Sequence, residues 1–502
     1  MGEHLRSRRE KIDRIEALGG NPYPHTFRRT HLSQDILDNF QELEEKGSVR
    51  CSGRIVALRE MGKASFCHIT DPSGRIQIYV RRDEVGETEY EIFKQVDLGD
   101  LLGVEGVPFR TRTGEISVRA VRADILSKSL RPMPVVKEKD GVRYDAFQDR
   151  EARYRYRYID LMVNPEIREV FKTRSKILSI TRRLLDEKGF MEVETPVLQY
   201  RYGGAMAQPF TTHHNALGVD LFLRIAEEIP LKKLLVGGLE RVYEIGKVFR
   251  NEGIDRMHNP EFTLLEFYWA YADYHDAMDF VEEIFRRLIF EVTGGYRISW
   301  GGEVIDLETP FRKIRMVEAV REVLGADPMT ESEERIRGMI KQRGKEAPGW
   351  HQRGHLIEAL FDATVCSQLM QPTFVMDYPR EISPLAKKVR GGDGSVVERF
   401  ELFINGQEFA NAFTELNDPR DQRDRLEAQM KLREQGDEEA QTLDDDFMTA
   451  MEHGMPPAAG VGIGMDRLIM LLTGSDSIRD VVLFPHLKPL DTPPDPEDRF
   501  PE

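Results

Sequence analysis

The chain has 502 residues, 40% of them hydrophobic, and a formal net charge of −16 at pH 7. That length allows two or three domains with substantial cores, and nowhere do 18 apolar residues run together, which argues against a membrane-spanning helix. The three cysteines, Cys51, Cys67 and Cys366, are widely separated and form no CxxC pair, so neither a disulfide framework nor a cysteine zinc site is supported.

The opening MGEHLRSRRE lacks the apolar run of a signal peptide, and Arg6 stands where myristoylation requires Ser or Thr; a cytosolic protein is expected. The net charge hides an asymmetry. Up to Asp160 there are 29 Lys plus Arg against 27 Asp plus Glu, whereas the rest carries 42 against 60. A polyanion is repelled from most of this surface and tolerated at the front, so any RNA contact belongs mainly there, unless the asymmetry is only the ordinary variation of an acidic protein.

Residues 1–48 read as a helical arm. A basic amphipathic helix is expected over residues 4–17, with Leu5, Ile12, Ile15 and Leu18 on one side, and a second over Gln34–Lys46. From 49 to 130, short alternating runs such as VRCSGRIVAL, ASFCHIT, RIQIYV, LLGVEGVPF and ISVRAV are punctuated by Gly, Asp and Pro. This is the pattern of a five-stranded OB barrel, whose open face binds single-stranded nucleic acid. Taken alone, Phe66 in this segment reads as core.

Residues 131–160 read as a linker ending in EARYRYRYIDL, its tyrosines packing between domains and its arginines forming salt bridges. Asn164 as N-cap, Pro165 at the first helical position and Glu166 in the first turn open a long helix, which Lys188-Gly189 closes. Its apolar positions include Val170, Ile177, Leu178, Leu184 and Leu185.

Val248–Tyr271 reads as two strands joined by a polar loop. Phe262, Leu264, Glu266 and Tyr268 share one face, and Leu265, Phe267 and Trp269 share the other, which looks like core. An apolar strand ending in Phe249-Arg250-Asn251-Glu252 points either to a site that pairs charge, stacks a base and grips phosphate, or to a structural Arg–Glu pair over a hairpin.

Residues of about 311–371 look like an inserted helical domain; His351 and His355 lie one turn apart there without a third metal ligand nearby. Asn405-Gly406 is a two-residue hairpin turn that is expected to pair Phe403 with Glu408 and Glu401 with Ala410, setting residues 401, 403, 408 and 410 on one face. Two carboxylates converging there repel each other without a cation, so Glu401 and Glu408 suggest a metal. Alternation alone puts Asn411, Phe413 and Glu415 on the opposite face; if both sets line one pocket, a bulge must intervene near Ala410. Asp418–Phe447 reads as a charged helical insertion, and 491–502 as a disordered tail. No GxxxxGK[ST] loop or KMSKS-like run is present.

FRNEG followed by HNPEF resembles motif 2 of the class II aminoacyl-tRNA synthetases, and LLEFYWAYADY resembles the lysyl version. GFMEVETPVL resembles motif 1 and GVGIGMDRLIMLLT motif 3. With KASF, LGDLLGVEG and ELFINGQEFANAFTELND, the resemblance covers nearly the whole chain.

The fold it implies is α+β: an antiparallel-sheet catalytic domain with helices over 161–490, preceded by the OB barrel, as a homodimer through motif 1. The activity it implies is lysine–tRNA ligation through lysyl-adenylate, with ATP, L-lysine and lysine tRNA as partners, Mg2+ as cofactor and no membrane. Arg250 and Arg467 would be catalytic. Arg250, Glu252, His258, Phe262 and Arg467 would bind ATP, and Glu401 and Glu408 the metal. Gly204, Glu228, Glu266, Tyr268, Asn411, Phe413 and Glu415 would bind lysine, and Phe66, Arg75, Gln77 and Glu115 would read the anticodon.

The chain departs from the family at Glu227, where proline is usual, at Pro230, and at Tyr202 and Gln208. Two rival readings are a synthetase-like protein ligase and a non-catalytic paralogue. The front barrel counts against the first, and the retained Arg250, Arg467, Glu401 and Glu408 against the second.

Overall fold

The computed structural model describes residues 3–134, 137–139, 142–144, 147–347, 352–434 and 441–490; the expected tail and His351 lie outside them. The chain divides into two compact units, one of residues up to Arg153 together with those from Lys488, the other Tyr154–Leu487.

In the first unit, strands β1 (Val49–Met61), β2 (Ala64–Thr70), β3 (Arg75–Arg81), β4 (Leu101–Arg110) and β5 (Ile116–Ser127) form a barrel in the order β1-β2-β3-β5-β4, with β4 also paired to β1. Each strand alternates. Cys67 and Ile69 of β2, and Ile76, Ile78 and Val80 of β3, enter a core that also holds Ile15 and Ile36 of the arm. The arm helix spans Glu3–Ala17. Leu18 lies beyond its end and is exposed, whereas Arg8 is buried, donating to the carbonyls of Leu98, Ser129 and Arg131. The helix expected over Gln34–Lys46 is two, Ser33–Asp38 and Phe40–Lys46, broken at Asn39.

The second unit is built on eight strands: β6 (Met191–Glu192), β7 (Arg241–Phe249), β8 (Glu261–Ala270), β9 (Arg312–Arg315), β10 (Thr373–Pro379), β11 (Val396–Ile404), β12 (Gln407–Thr414) and β13 (Ala458–Gly464). Their order is β9-β10-β11-β12-β13-β8-β7-β6, antiparallel except for the β9–β10 and β7–β6 pairs. Helices Pro165–Glu187, Tyr274–Thr293 and Met465–Thr473 contribute to one large core with Leu265 and Phe267 of β8 and Phe400 and Leu402 of β11. The opposite face is left for the site.

Two expectations change. Part of the linker is helical, Arg150–Arg155 and Arg157–Val163. Arg157 is almost fully buried, forms the expected kind of salt bridge with Asp160 at 2.6 Å and donates to the carbonyls of Arg479 and Leu483, whereas Tyr158 is exposed. The 311–371 insertion begins with strand β9, and its helices Met316–Leu324, Glu333–Gln342 and Arg353–Thr364 share a core with Val375 and Tyr378 of β10 and Val397 and Phe403 of β11. It is thus a layer on the sheet. His355 in that layer is buried and accepts from the Gln352 N–H at 3.2 Å.

A Cβ added at Gly106 would sit 2.2 Å from the Arg119 carbonyl oxygen on the paired strand, whereas one at Gly338, inside Glu333–Gln342, meets nothing within 4 Å. Gly106→Ala is therefore expected to lower stability by about 1–3 kcal/mol and Gly338→Ala to raise it by about 0.5–1 kcal/mol. Urea unfolding of each variant against the parent checks both signs.

Candidate active site and nucleic-acid face

On the sheet face away from the large core lies a cavity of about 550 Å³ whose wall carries Gly204, Glu228, Arg250, Glu252, His258, Phe262, Glu266, Tyr268, Glu401, Glu408, Asn411, Phe413 and Arg467. The β7–β8 register, Val248 opposite Phe262 and Phe249 opposite Glu261, brings Arg250 over Phe262. Its guanidinium lies 5.1 Å from the ring centroid, and its Nε donates to the Ile225 carbonyl at 3.3 Å. Burial lowers the pKa of Arg250, while Glu252, Glu408 and Glu266 oppose that fall. Arg467, in the first turn of Met465–Thr473, donates to the Glu408 carbonyl at 2.8 Å and to His258 Nε2 at 3.2 Å. His258 Nδ1 lies 2.8 Å from Asp255 Oδ2. Since Arg467 can only donate, His258 must accept at Nε2 and give its Nδ1 proton to Asp255.

The Asn405-Gly406 turn forms with φ of 51° and 68°. Phe403 pairs with Glu408 as expected, but Glu401 faces Asn411, not Ala410. The register slips between Leu402 and Phe403 because β12 holds an extra residue at Phe409, which is buried against Phe285 and Trp300. Ala410 is turned into the large core, and Asn411 and Phe413 join Glu401 and Glu408 on the cavity side. A bulge near Ala410 is what a shared pocket demanded.

At the other end of the cavity, Gly204 has φ of +85° and packs against Glu228, where an added Cβ would approach the Glu228 Cβ to 2.8 Å. Tyr268 donates to Glu266 Oε2 at 3.2 Å, and the Glu227 N–H donates to Glu266 Oε1 at 3.0 Å. Burial, with Glu228 adding to it, pushes Glu266 up to about 7. Glu415 is not on the wall. It is fully buried behind Gly460, where an added Cβ would lie 2.1 Å from Glu415 Oε1.

On the barrel, Phe66, Gln77 and Glu115 share one outer surface, with Arg75 exposed at the end of β3. Phe66 stays half-buried and outside the core cluster, stacked on Tyr79 at 4.6 Å, and Tyr79 in turn meets Phe109 at 5.8 Å. Gln77 donates to Glu115 Oε2 at 2.8 Å, and His68 reaches Glu115 Oε1 at 3.0 Å. Aromatic faces beside edge-reading polar groups suit unstacked bases.

Residues 149–488 match the family model of class II tRNA synthetases (D, K and N), and residues 49–126 match that of the OB-fold nucleic acid binding domain. The chain is 51% identical over 492 residues to the lysine–tRNA ligase of Pelotomaculum thermopropionicum, covering 97% of this chain and 96% of that one. It is 50% identical to that of Bacillus subtilis, covering 97% and 98%, and 48% identical to that of Staphylococcus aureus, covering 97% and 99%. The chain belongs to the class II tRNA synthetases, in the lysyl branch.

For a class II synthetase site, several wall residues had no motif to reveal them. Arg399 is the main one: it donates to Glu401 at 2.5 Å and to Asn411 at 3.2 Å, and its only signal was a cation inside the apolar strand VVERFELFI. Glu358 reaches the cavity from the inserted helical layer, and burial pushes it up to about 7. Among the described residues no group of three or more His, Cys, Asp or Glu is placed to hold a metal ion; Glu401 and Glu408 stand as a pair.

Two of the departures named from the sequence, Pro230 and Glu227, have distinct local settings. Pro230 falls in the first turn of Glu228–Val236, where a missing N–H costs no helical bond. Glu227 is fully buried, and Arg224 Nη2 lies 3.0 Å from its Oε1 without the alignment of a hydrogen bond. Burial and the Glu266 carboxylate raise Glu227 to about 10, so at neutral pH it holds a proton. Glu244, by contrast, accepts from Arg224 at 2.6 Å and from both the N–H and hydroxyl of Thr195. Glu227→Gln, which mimics the protonated acid, should change stability by less than about 1 kcal/mol, and Glu244→Gln should cost about 3 kcal/mol. Thermal melts at pH 7 decide between them.

Proposed function

We propose that this chain is a lysine–tRNA ligase: it activates L-lysine with ATP to lysyl-adenylate, releases pyrophosphate, and passes the lysyl group to the 3′-terminal ribose of lysine tRNA. The observation that carries the reading is the polarity of one cavity, with Arg250 and Arg467 at one end and Glu228, Glu266 and Tyr268 at the other. The cationic end suits the triphosphate and the substrate carboxylate. The anionic end suits the amines of lysine, whereas an aspartyl or asparaginyl pocket needs a cation there.

In-line transfer asks the protein for position and charge neutralisation more than for covalent chemistry. Arg250 would bridge the α-phosphate and the carboxylate, and Phe262 would stack adenine once Arg250 moves onto phosphate. Glu252 and His258 would contact the nucleotide, and Arg467 the γ-phosphate. Gly204 and Glu228 would hold the α-amino group, Glu266 and Tyr268 would serve the ε-ammonium with the charge of Glu415 behind Gly460 adding to theirs, and Asn411 and Phe413 would complete the pocket.

Glu401 and Glu408 would hold Mg2+. Oxygen donors suit that ion, which takes one or two carboxylates and completes its shell with phosphate and water. Burial pushes Glu401 up to about 8, with Glu408 and Glu358 adding to it against Arg399, so added positive charge is favoured at that wall. The ion would neutralise phosphate charge during transfer.

The anticodon would be read by Phe66, Arg75, Gln77 and Glu115. A homodimer is supported by Met191, Val197, Leu198 and Tyr200, exposed apolar side chains around edge strand β6. Among the described residues no helix is long and apolar enough to cross a membrane, and the free cysteines suit a reducing cytosol.

Amino-acid-dependent pyrophosphate exchange tests the reading. Lysine should drive it and aspartate and asparagine should not; exchange driven by either of those overturns the assignment. Phe66→Ala should leave exchange within twofold while raising KM for lysine tRNA, by about tenfold for the loss of one stacked base. Charging assays on purified tRNA measure that split.

A further inference from the structure

Lys232 has no role in the activity proposed, yet it lies buried behind the acidic end of the cavity, between Glu228 of the wall and Glu415. Its side chain is fully buried one turn along Glu228–Val236 from Glu228, with which it forms a close ion pair. Its Nζ also lies 2.5 Å from Glu415 Oε2, and the ammonium sits 5.3 Å from the ring centroid of Phe413. Neither Glu415 oxygen has an aligned hydrogen-bond partner, and Oε1, the one away from Lys232, lies beside Gly460, which forms part of the cavity wall. A buried carboxylate thus sets one oxygen against an internal cation and the other next to the cavity wall, with hydrogen-bonding capacity to spare on both.

We propose that Lys232 is a resident counter-ion that keeps Glu228 and Glu415 ionised and thereby makes the pocket specific for a substrate carrying two ammonium groups; this rests on the lysine reading. Two observations support it. The first is charge balance: Glu228, Glu415 and Glu266, the last once a bound ammonium draws off its proton, supply three negative charges, Lys232 cancels one, and the remainder matches the α- and ε-ammonium groups of lysine. The second is the cost of burial, which raises Glu228 and Glu415, with Lys232 the largest opposing influence on both. Without it these carboxyls would take up protons and become indifferent to an amine. Arg399 also favours ionised Glu228, and Glu266 raises Glu415, so the groups to be considered are these together with Tyr268. Lys232 touches no substrate in this account; it is a positioning residue.

The test compares the parent with Lys232→Met and Lys232→Arg in pyrophosphate exchange driven by lysine and by norleucine, which lacks the ε-ammonium. The same assays are run from pH 6 to 9. A carboxylate's attraction for an amine is present above its pKa and lost as the pH falls through it, and removing a nearby cation raises that pKa. Lys232→Met should therefore raise KM for lysine and cut the preference for lysine over norleucine, each by about tenfold, for a rise of about one unit in the pH at which lysine affinity is half lost. KM for ATP should stay within twofold, and Lys232→Arg should keep the parental pH midpoint and preference. A Lys232→Met enzyme with parental KM for lysine and an unmoved midpoint overturns the proposal. If that variant does not fold, Lys232→Arg decides: retention of the parental midpoint and preference supports the role of charge, and loss of either overturns it. The parent's own response to lysine tests the functional reading separately from these comparisons.

Discussion

A carboxylate taken out of water must be matched by positive charge or give up its ionisation, and this constraint governs the cavity side of the eight-stranded sheet. Glu244 has its partners in Arg224 and in the N–H and hydroxyl of Thr195. Glu227, on the same arginine but misaligned with it and beside Glu266, is protonated. Two acids on one arginine are thus satisfied differently, Glu244 by aligned hydrogen bonds and Glu227 without them.

The cavity inherits its polarity from that rule. Arg250 lies over the Phe262 ring, and Arg467 donates to His258 and to the Glu408 carbonyl, which puts two guanidinium groups on one side of the cavity. The opposite end stores negative charge around Tyr268, tempered by Lys232. A guanidinium and a carboxylate can face each other across one cavity only because strands β7, β8, β11, β12 and β13 hold them on a rigid surface, where their mutual approach is limited by the sheet rather than by side-chain flexibility.

Much of this was legible along the chain. Period-two alternation placed Glu266 and Tyr268 against Leu265 and Phe267, and the β7–β8 hairpin formed as read. Asn405-Gly406 specified its turn, and the need to bring Glu408 and Asn411 to one cavity called for a bulge before the register was known. Other segments misled for physical reasons. The EARYRYRYIDL alternation reads as a linker with salt-bridged arginines, and Arg157 does pair with Asp160 one helical turn on, but its two carbonyl partners lie 322 and 326 residues away, where no local pattern reaches. The helices after Phe311 look like a separate domain because their apolar stripes are visible locally, whereas the sheet face that receives them is not.

What the sequence determined by itself was the set of elements and the chemical kinds of residue on them, because alternation, capping and turn residues act over a few positions. The barrel, the motif hairpin and the identities of the ionic groups belong to that set. The tertiary structure alone decided which charges meet. Lys232 reads as one of two ordinary helix lysines, Glu415 as a pocket acid and Arg399 as a stray cation, until β12 and the helix Glu228–Val236 are brought together and burial makes each charge depend on its neighbours.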